Sequence, residues 1–191
     1  LLTSMMEQCT PEELNICWVD PKKVEAGDYK GTPFCPIDPV TDMGDAYGLM
    51  EYLIWEMKRR YDMMARTDAS NIDKFNKWIE ENPEEAEDKG LKSIPYIVAV
   101  IDEYADMVYQ FPQVDKLLLK LTASSGPSGI HLIVSTQRPS ATIISGDIKE
   151  NLPARICLRV ADETNSRVVI DQPGGEKLQG YGDMLFKDKS G

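Results

Sequence analysis

The chain has 191 residues, of which 42% are hydrophobic and 28% are charged, and its formal net charge is −11 at pH 7. This length and composition predict one substantial hydrophobic core, and they exclude a membrane-spanning helix because no apolar stretch approaches the roughly 20 residues that a bilayer requires. The negative charge at first argues against a nucleic-acid partner, since phosphate binding usually leaves a basic surface.

The N-terminal third is predicted to contain a short helix, a strand and a long helix. Residues 3–8 have the pattern of a helix end, and residues 15–19 form a short buried strand that closes on Asp20-Pro21-Lys22. After a Gly- and Pro-rich loop, Asp42 can cap a long helix, with Asp45 three residues further on. Apolar residues then recur at a spacing of three and four, which predicts core packing rather than a cofactor site. They are Ala46, Met50, Leu53, Met57, Tyr61 and Met64.

An acidic segment follows at about residues 80–90. It is interrupted by Pro83 and followed by Gly90, which favours a solvated loop or a frayed helix end. We interpret it as a surface insertion that lowers the global charge while another face stays neutral or basic. Its acids are Glu80, Glu81, Glu84, Glu85, Glu87 and Asp88.

The most informative segment is the apolar run that ends on Asp102 and Glu103. Residues 96–101 are all apolar or aromatic, as in a central strand of a parallel sheet that is covered on both faces. In open α/β sheets ligands bind at the carboxyl edge, where these acids could hold a phosphate-bound Mg²⁺ and activate a water. The alternative is a buried strand followed by an acidic helix N-terminus, which the helix dipole would also favour.

The rest of the chain continues the alternation of helices and strands. A helix is predicted around residues 115–121, and strands at residues 130–136, 155–160 and 184–186, which together predict a parallel, three-layer sheet. Gln137 follows the strand at 130–136, where its amide could bond both a water and a phosphate oxygen, as a sensor of the γ-phosphate does. The alternative for Gln137 is a polar strand end before a turn at Pro139.

The four cysteines, Cys9, Cys17, Cys35 and Cys157, are spread along the chain. Their spacing matches neither a zinc-ligand pattern nor a compact disulfide framework. We therefore expect reduced thiols and a cytoplasmic location.

Ten blocks of the sequence, in order, resemble the motor domain of the FtsK/SpoIIIE DNA translocases. Two of them are Asp102-Glu103-Tyr104-Ala105-Asp106 and Thr136-Gln137-Arg138-Pro139. The similarity spans nearly the whole chain, and so many ordered blocks are far more specific than one motif. The other blocks are residues 19–22, 40–43, 56–61, 129–132, 151–156, 166–167, 171–172 and 182–185.

The resemblance implies an α/β fold, namely a three-layer RecA-like P-loop NTPase core with a mostly parallel central sheet. Residues 1–191 would be the C-terminal portion of one such motor domain. The family uses ATP and Mg²⁺ to pump double-stranded DNA through a ring, usually a hexamer. The segment itself is expected to make no membrane contact, although it could be the soluble motor of a membrane-anchored protein.

The resemblance also implies roles for individual residues. Asp102 would support Mg²⁺ through water, Glu103 would be the general base, and Gln137 would couple the state of the γ-phosphate to movement. Asp102, Thr136 and Gln137 would together contact the nucleotide. Arg138, Lys149 and Arg167 match positions that face the DNA in the central channel, where phosphate contacts position the duplex without reading its sequence.

The sequence departs from the family pattern in three places. The P-loop pattern Gly-x-x-x-x-Gly-Lys-Ser/Thr is absent and would lie just before Leu1, so this segment alone is expected to bind ATP poorly and to hydrolyse little. Gly126 stands where the family has an arginine that reaches the neighbouring subunit, a function for which Arg155 could substitute. Glu163 stands where a lysine is expected next to the DNA.

These departures keep two hypotheses open. The first is an ATP-driven DNA translocase motor. The second is a degenerate or non-catalytic RecA-like module from a conjugation or secretion ATPase, which would handle a protein substrate. A plain Rossmann domain is disfavoured, because no Gly-x-Gly-x-x-Gly follows the strand at residues 15–19.

Overall fold

The computed structural model describes residues 1–23 and 26–188, and the chain divides into two compact units, Leu1–Ser135 and Thr136–Gly191. The strands of the first unit are β1 (Leu14–Val19), β2 (Tyr96–Ile101) and β3 (Ile130–Val134). Its helices are α1 (Leu2–Gln8), α2 (Met43–Ala65), α3 (Ile72–Glu81), α4 (Pro83–Asp88), α5 (Tyr104–Gln110) and α6 (Val114–Ser124).

The sheet of the first unit confirms the predicted parallel arrangement. Its order is β1-β2-β3, and both neighbouring pairs are parallel. The register pairs Ile101 with Val19 on one side and with Val134 on the other, so the three strands end at the same edge. β2 is buried from Ile97 to Ile101, which explains why its sequence shows no polar alternation. Side chains that follow these strands therefore emerge together.

Helix α2 packs on this unit through the apolar stripe that the spacing predicted. Most residues of the stripe are buried, and α2 contacts α5 and α6. The Asp42 side chain caps the helix as predicted, because it accepts hydrogen bonds from the backbone N–H groups of Gly44 at 2.7 Å and Asp45 at 3.3 Å. Tyr61 is half-buried and donates from its hydroxyl to the Ser124 carbonyl oxygen at 2.6 Å.

Of the two alternatives predicted for the acidic segment, a solvated loop and a frayed helix end, the loop is wrong. The segment is the end of α3 and the short helix α4, and Asn82 lies at the junction between them. Pro83 occupies the first turn of α4, where its missing N–H costs nothing, and Glu84 and Glu85 lie where the helix dipole favours acids. Ala86 is buried, so α4 has a packed face although four of its six side chains are acidic.

The second unit contains α7 (Gly146–Asn151), β4 (Arg155–Leu158), α8 (Glu163–Ile170) and β5 (Met184–Lys187). The two strands were predicted within a parallel sheet, but they pair with each other in an antiparallel two-stranded sheet. The apolar pattern of a short strand predicts the strand but not its partner, because pairing depends on contacts between residues far apart in the sequence.

Candidate functional site

Asp102 and Glu103 lie at the carboxyl end of β2, as the sequence predicts. The Asp102 backbone N–H donates to the Val19 carbonyl oxygen at 3.0 Å, which extends the sheet by one residue. Glu103 is the N-cap of α5 and has a left-handed backbone, with φ 61° and ψ 67°. Only 2% of Glu103 is exposed. A buried carboxylate on a left-handed residue is a costly arrangement, and such arrangements cluster at functional sites.

Ser135, which directly follows β3, bonds Asp102 and the residues on either side of the acid pair. Its hydroxyl donates to Asp102 Oδ1 at 2.9 Å. Its backbone N–H donates to the Ile101 carbonyl oxygen at 2.9 Å, and its own carbonyl accepts from the Tyr104 N–H at 2.8 Å. The chain on either side of the acid pair is therefore held by one residue from the adjacent strand.

The end of β1 borders the acid pair on the other side. Asp20 is buried, and its Oδ1 accepts from the backbone N–H groups of Lys22 and Lys23, each at 3.0 Å. This turn brings the Lys22 ammonium to 3.8 Å from Glu103 Oε2. The buried carboxylate thus has a cation beside it, which offsets part of its desolvation cost.

The first turn of α5 is anchored by Tyr104. This side chain is 1% exposed, and its hydroxyl donates to Asp115 Oδ1 on α6. Burial, together with the Asp115 carboxylate, raises the pKa of the Tyr104 phenol far above its ordinary value, so the hydroxyl remains a donor at physiological pH. The residue next to Glu103 is therefore locked in place.

The acid pair fits a magnesium–nucleotide site. Ser135 occupies Oδ1 of Asp102, so Oδ2 can accept a bond from a metal-bound water. Among residues 1–23 and 26–188, no three His, Cys, Asp or Glu side chains converge in a group that could hold a metal. Mg²⁺ usually keeps several of its waters, so a single carboxylate such as Asp102 could hold it through water.

Thr136, Gln137 and Arg138 lie in the second unit, directly after Ser135 in the sequence. The Thr136 hydroxyl accepts from the Arg138 backbone N–H at 3.1 Å, which forms a local turn, and the Gln137 side chain is exposed. The structure confirms that β3 lies beside β2 and runs parallel to it. That Gln137 and Thr136 meet a nucleotide beside Asp102 and Glu103 stays a prediction.

The predicted DNA-binding cations of the second unit differ in their surroundings. Arg138 is exposed. Arg167, on α8, forms an ion pair with Glu163 at 2.6 Å, so the acid that departs from the family pattern neutralises a neighbouring cation. Lys149, on α7, contacts Asp171 at 2.8 Å and its side chain is only 21% exposed. A phosphate would have to compete with these carboxylates for Arg167 and Lys149.

Asp171 organises a cluster of cations in the second unit. Lys149, Lys187 and Arg155 contact it at 2.8, 3.0 and 2.9 Å. Hydrogen bonds from Lys149 and Lys187, and then from Arg155, hold the pKa of the Asp171 carboxyl well below its usual range, although partial burial opposes them. Arg155 also donates to the Val169 carbonyl oxygen at 3.2 Å. These contacts argue against Arg155 as the substitute for the arginine missing at Gly126, which lies exposed in a 3₁₀ turn.

Sequence reasoning missed two residues of the site, Lys22 and Ser135. Lys22 is the last residue of Asp20-Pro21-Lys22, which was noted at the end of β1, and Ser135 lies immediately before Thr136 and Gln137. Their position after strands that flank β2 was a usable signal, because parallel strands bring their carboxyl ends to one edge. Only the tertiary structure shows that β1 and β3 are the strands that flank β2.

None of the helices in the described part of the chain combines the length and the apolar character that crossing a bilayer demands.

The chain resembles known proteins over nearly all of its length. Residues 1–141 match the model of the FtsK/SpoIIIE family. The chain is 37% identical to the DNA translocase FtsK of Vibrio parahaemolyticus, in a match that covers 97% of this chain and 20% of the relative. It is 40% identical to the DNA translocase FtsK of Staphylococcus epidermidis, in a match that covers 97% of this chain and 23% of that relative. The chain thus spans about a fifth of the length of these curated relatives.

Solved structures agree on the fold. The pCW3 conjugation coupling protein TcpA, in its monomer form with ATPgS, matches with a TM-score of 0.77 and 27% identity, over 99% of this chain and 53% of TcpA. EssC ATPases 2 and 3 from Geobacillus thermodenitrificans match with a TM-score of 0.81 but only 17% identity, over 98% of this chain and 34% of EssC, which shows the fold alone. The predicted RecA-like α/β fold is confirmed.

Proposed function

We propose, because this chain belongs to the FtsK/SpoIIIE family, that it is the catalytic core of an ATP-driven motor that moves double-stranded DNA. The observation that carries the proposal is the acid pair at the carboxyl end of β2, where Ser135 bonds Asp102 from the neighbouring strand and Glu103 is buried beside Lys22. This is the place and the chemistry that nucleotide hydrolysis requires in an open parallel sheet.

In this proposal Asp102 and Glu103 have different catalytic roles. Bound Mg²⁺ would neutralise charge on the β- and γ-phosphate oxygens of ATP. Asp102, oriented by Ser135, would accept hydrogen bonds from water on the metal. Glu103 would orient the attacking water and take its proton. Thr136 and Gln137 would contact the nucleotide, and Gln137 would report whether the γ-phosphate is present.

The DNA would be held by isolated cations that do not read its sequence. Arg138 and Arg167 are the first candidates and Lys149 is the third, and each would contact a backbone phosphate. A translocase needs such contacts, because it must move along any sequence. By similarity to the curated translocases we further propose a cytoplasmic motor that assembles as a homo-oligomeric ring, usually a hexamer, around the duplex.

A second candidate function is a RecA-like module of a conjugation or secretion ATPase that handles a protein substrate. It is supported by the similarity to the conjugation coupling protein TcpA and by Gly126 and Glu163, which replace cations of the translocase pattern.

The test is an ATPase assay on the full-length protein, with and without duplex DNA. We expect duplex DNA to stimulate hydrolysis. We expect Glu103→Gln to lower kcat by roughly 10²- to 10⁴-fold, because the general base is lost, while binding of a fluorescent ATP analogue stays unchanged. The matched control is Glu51→Gln, which removes an exposed acid from α2. Stimulation by a protein substrate, with no response to DNA, would favour the second candidate.

A further inference from the structure

We propose that Lys22 is a positioning residue for the general base Glu103, an inference that rests on the proposed function. The contact that suggests it is the ion pair of 3.8 Å between Lys22 Nζ and Glu103 Oε2. The two side chains differ strongly in exposure, since that of Lys22 is 39% exposed and that of Glu103 is 2% exposed. A solvent-accessible cation thus lies beside a carboxylate that is almost wholly out of water.

The backbone places Lys22 at this position. β1 and β2 pair in parallel with Val19 opposite Ile101, so the residues after each strand leave the sheet at the same edge. The buried Asp20 carboxylate accepts from the Lys22 N–H at 3.0 Å, and the Asp20 N–H donates to the Val40 carbonyl oxygen at 2.8 Å. The turn after β1 is therefore bonded on both sides, and it places the lysine beside Glu103.

The orientation of the Glu103 carboxylate matters because Glu103 is the proposed general base. Its left-handed backbone at φ 61° and the anchored Tyr104 fix the main chain, and the contact with Lys22 acts on the carboxylate itself. A cation at Oε2 stabilises one orientation of the carboxylate that is to activate the water. Because a misplacement of about 1 Å can cost roughly 100-fold in rate, this contact can decide kcat.

A positioning role differs from a phosphate-binding role in what it affects. If Lys22 acts through Glu103, its loss lowers kcat and leaves the affinity for ATP nearly unchanged. If instead Lys22 bound the γ-phosphate directly, its loss would raise the KM for ATP and weaken binding of the nucleotide. The two roles therefore separate in a comparison of kcat with KM.

The experiment compares Lys22→Met, Lys22→Arg and Lys23→Met in the full-length protein, with ATP and saturating duplex DNA. Lys23→Met is the matched control, because it removes the same charge from the next residue, which is exposed. We expect Lys22→Met to lower kcat about 100-fold with KM within twofold, Lys22→Arg to restore much of the activity, and Lys23→Met to behave as the unmodified protein. Single-turnover rates in a Glu103→Gln background should show no further loss from Lys22→Met, because the residue on which Lys22 acts is already disabled.

The outcomes separate this inference from the proposed function. An unmodified full-length protein without ATPase activity overturns both. An active protein in which Lys22→Met leaves kcat unchanged, or raises KM without lowering kcat, overturns the positioning role alone. The same conclusion follows if Lys22→Met and Glu103→Gln lower the single-turnover rate independently.

Discussion

Glu103 combines three features that an ordinary surface acid lacks. It is buried, it has a left-handed backbone, and a lysine lies beside its carboxylate. Each of the first two costs free energy, the backbone conformation on the order of 1–3 kcal/mol. Such a residue persists when the structure around it is rigid, and here the rigidity comes from Ser135 and Tyr104, which hold the chain on both sides of it.

We expect the same substitution to have opposite effects on stability at two glycines, Gly129 and Gly48. Gly129 precedes β3 with φ +75°, and a Cβ there would lie 2.4 Å from Ile72 Cδ1. Gly48 lies within α2, where an added Cβ meets nothing within 4 Å. We expect Gly129→Ala to lower the free energy of unfolding by about 2 kcal/mol, through strain and overpacking against a buried side chain.

Gly48→Ala is the matched control and should raise the free energy of unfolding by about 1 kcal/mol, because alanine favours the helix. Urea denaturation followed by circular dichroism measures both variants. Equal effects of the same sign would show that the left-handed backbone at Gly129 has no energetic consequence.

At the level of the element, α2 carries both an apolar stripe and a buried ionic cluster. Glu56 accepts from the guanidinium of Arg59 at 2.6 and 2.7 Å and from that of Arg60 at 2.8 Å. Arg60 is 2% exposed and also donates to the Ser128 carbonyl oxygen at 3.0 Å. The cluster thus ties α2 to the turn at Gly126–Ser128, where the family pattern has its missing arginine.

Replacing Glu56 should destabilise the protein strongly. Burial alone would raise the pKa of the Glu56 carboxyl, but hydrogen bonds from Arg59 and Arg60 outweigh it and lower the pKa below its ordinary value of 4.5. Glu56→Gln leaves the Arg60 guanidinium buried without its counter-charge, which should cost about 3 kcal/mol. The exposed Glu51 on the same helix provides the control, since Glu51→Gln should change stability by less than about 0.5 kcal/mol.

The pH dependence of stability gives an independent check on Glu56. Because its pKa in the folded protein lies below 4.5, the stabilisation is complete above that pH and is lost as the pH falls through the lower, folded value. The difference in stability between the unmodified protein and Glu56→Gln should therefore shrink below pH 4.5. A difference that is constant between pH 7 and pH 3 would contradict the ionic explanation.

At the level of the whole molecule, the net charge of −11 conflicts with a DNA partner only if the charge is spread evenly. Much of this negative charge lies on helices α3 and α4, which belong to the first unit. The candidate DNA contacts Arg138, Lys149 and Arg167 lie in the second unit. Total charge governs solubility and long-range steering, but phosphate contacts depend on individual cations.

The salt dependence of DNA binding tests these contacts in the full-length protein. If Arg138 binds one phosphate, Arg138→Gln should weaken binding of duplexes of any sequence and reduce the slope of log K against log salt by about 1. Lys149→Gln should change this slope less, because Asp171 already holds the lysine. Lys92→Gln, in the first unit, removes one exposed positive charge as a control. An unchanged slope in Arg138→Gln would remove Arg138 from the DNA interface.

The sequence by itself determined the elements whose pattern is local. The apolar run of β2 predicted a buried strand with the observed bounds, Tyr96–Ile101, and the three-and-four spacing predicted the buried face of α2. It also located Asp102 and Glu103 at the end of β2. These predictions succeeded because burial on both faces, helix periodicity and capping each leave a pattern in neighbouring residues.

Only the tertiary structure decided which distant residues meet. The roles of Ser135 and Lys22 depend on β3 and β1 flanking β2, and the pairing of β4 with β5 rather than with a parallel sheet depends on contacts about 30 residues apart. The left-handed backbone of Glu103 likewise has no local cause, because glutamate does not favour it and the bonds that hold it come from another strand. Contacts between residues far apart in the chain leave no periodic pattern, so a single sequence could predict the acids but not the residues around them.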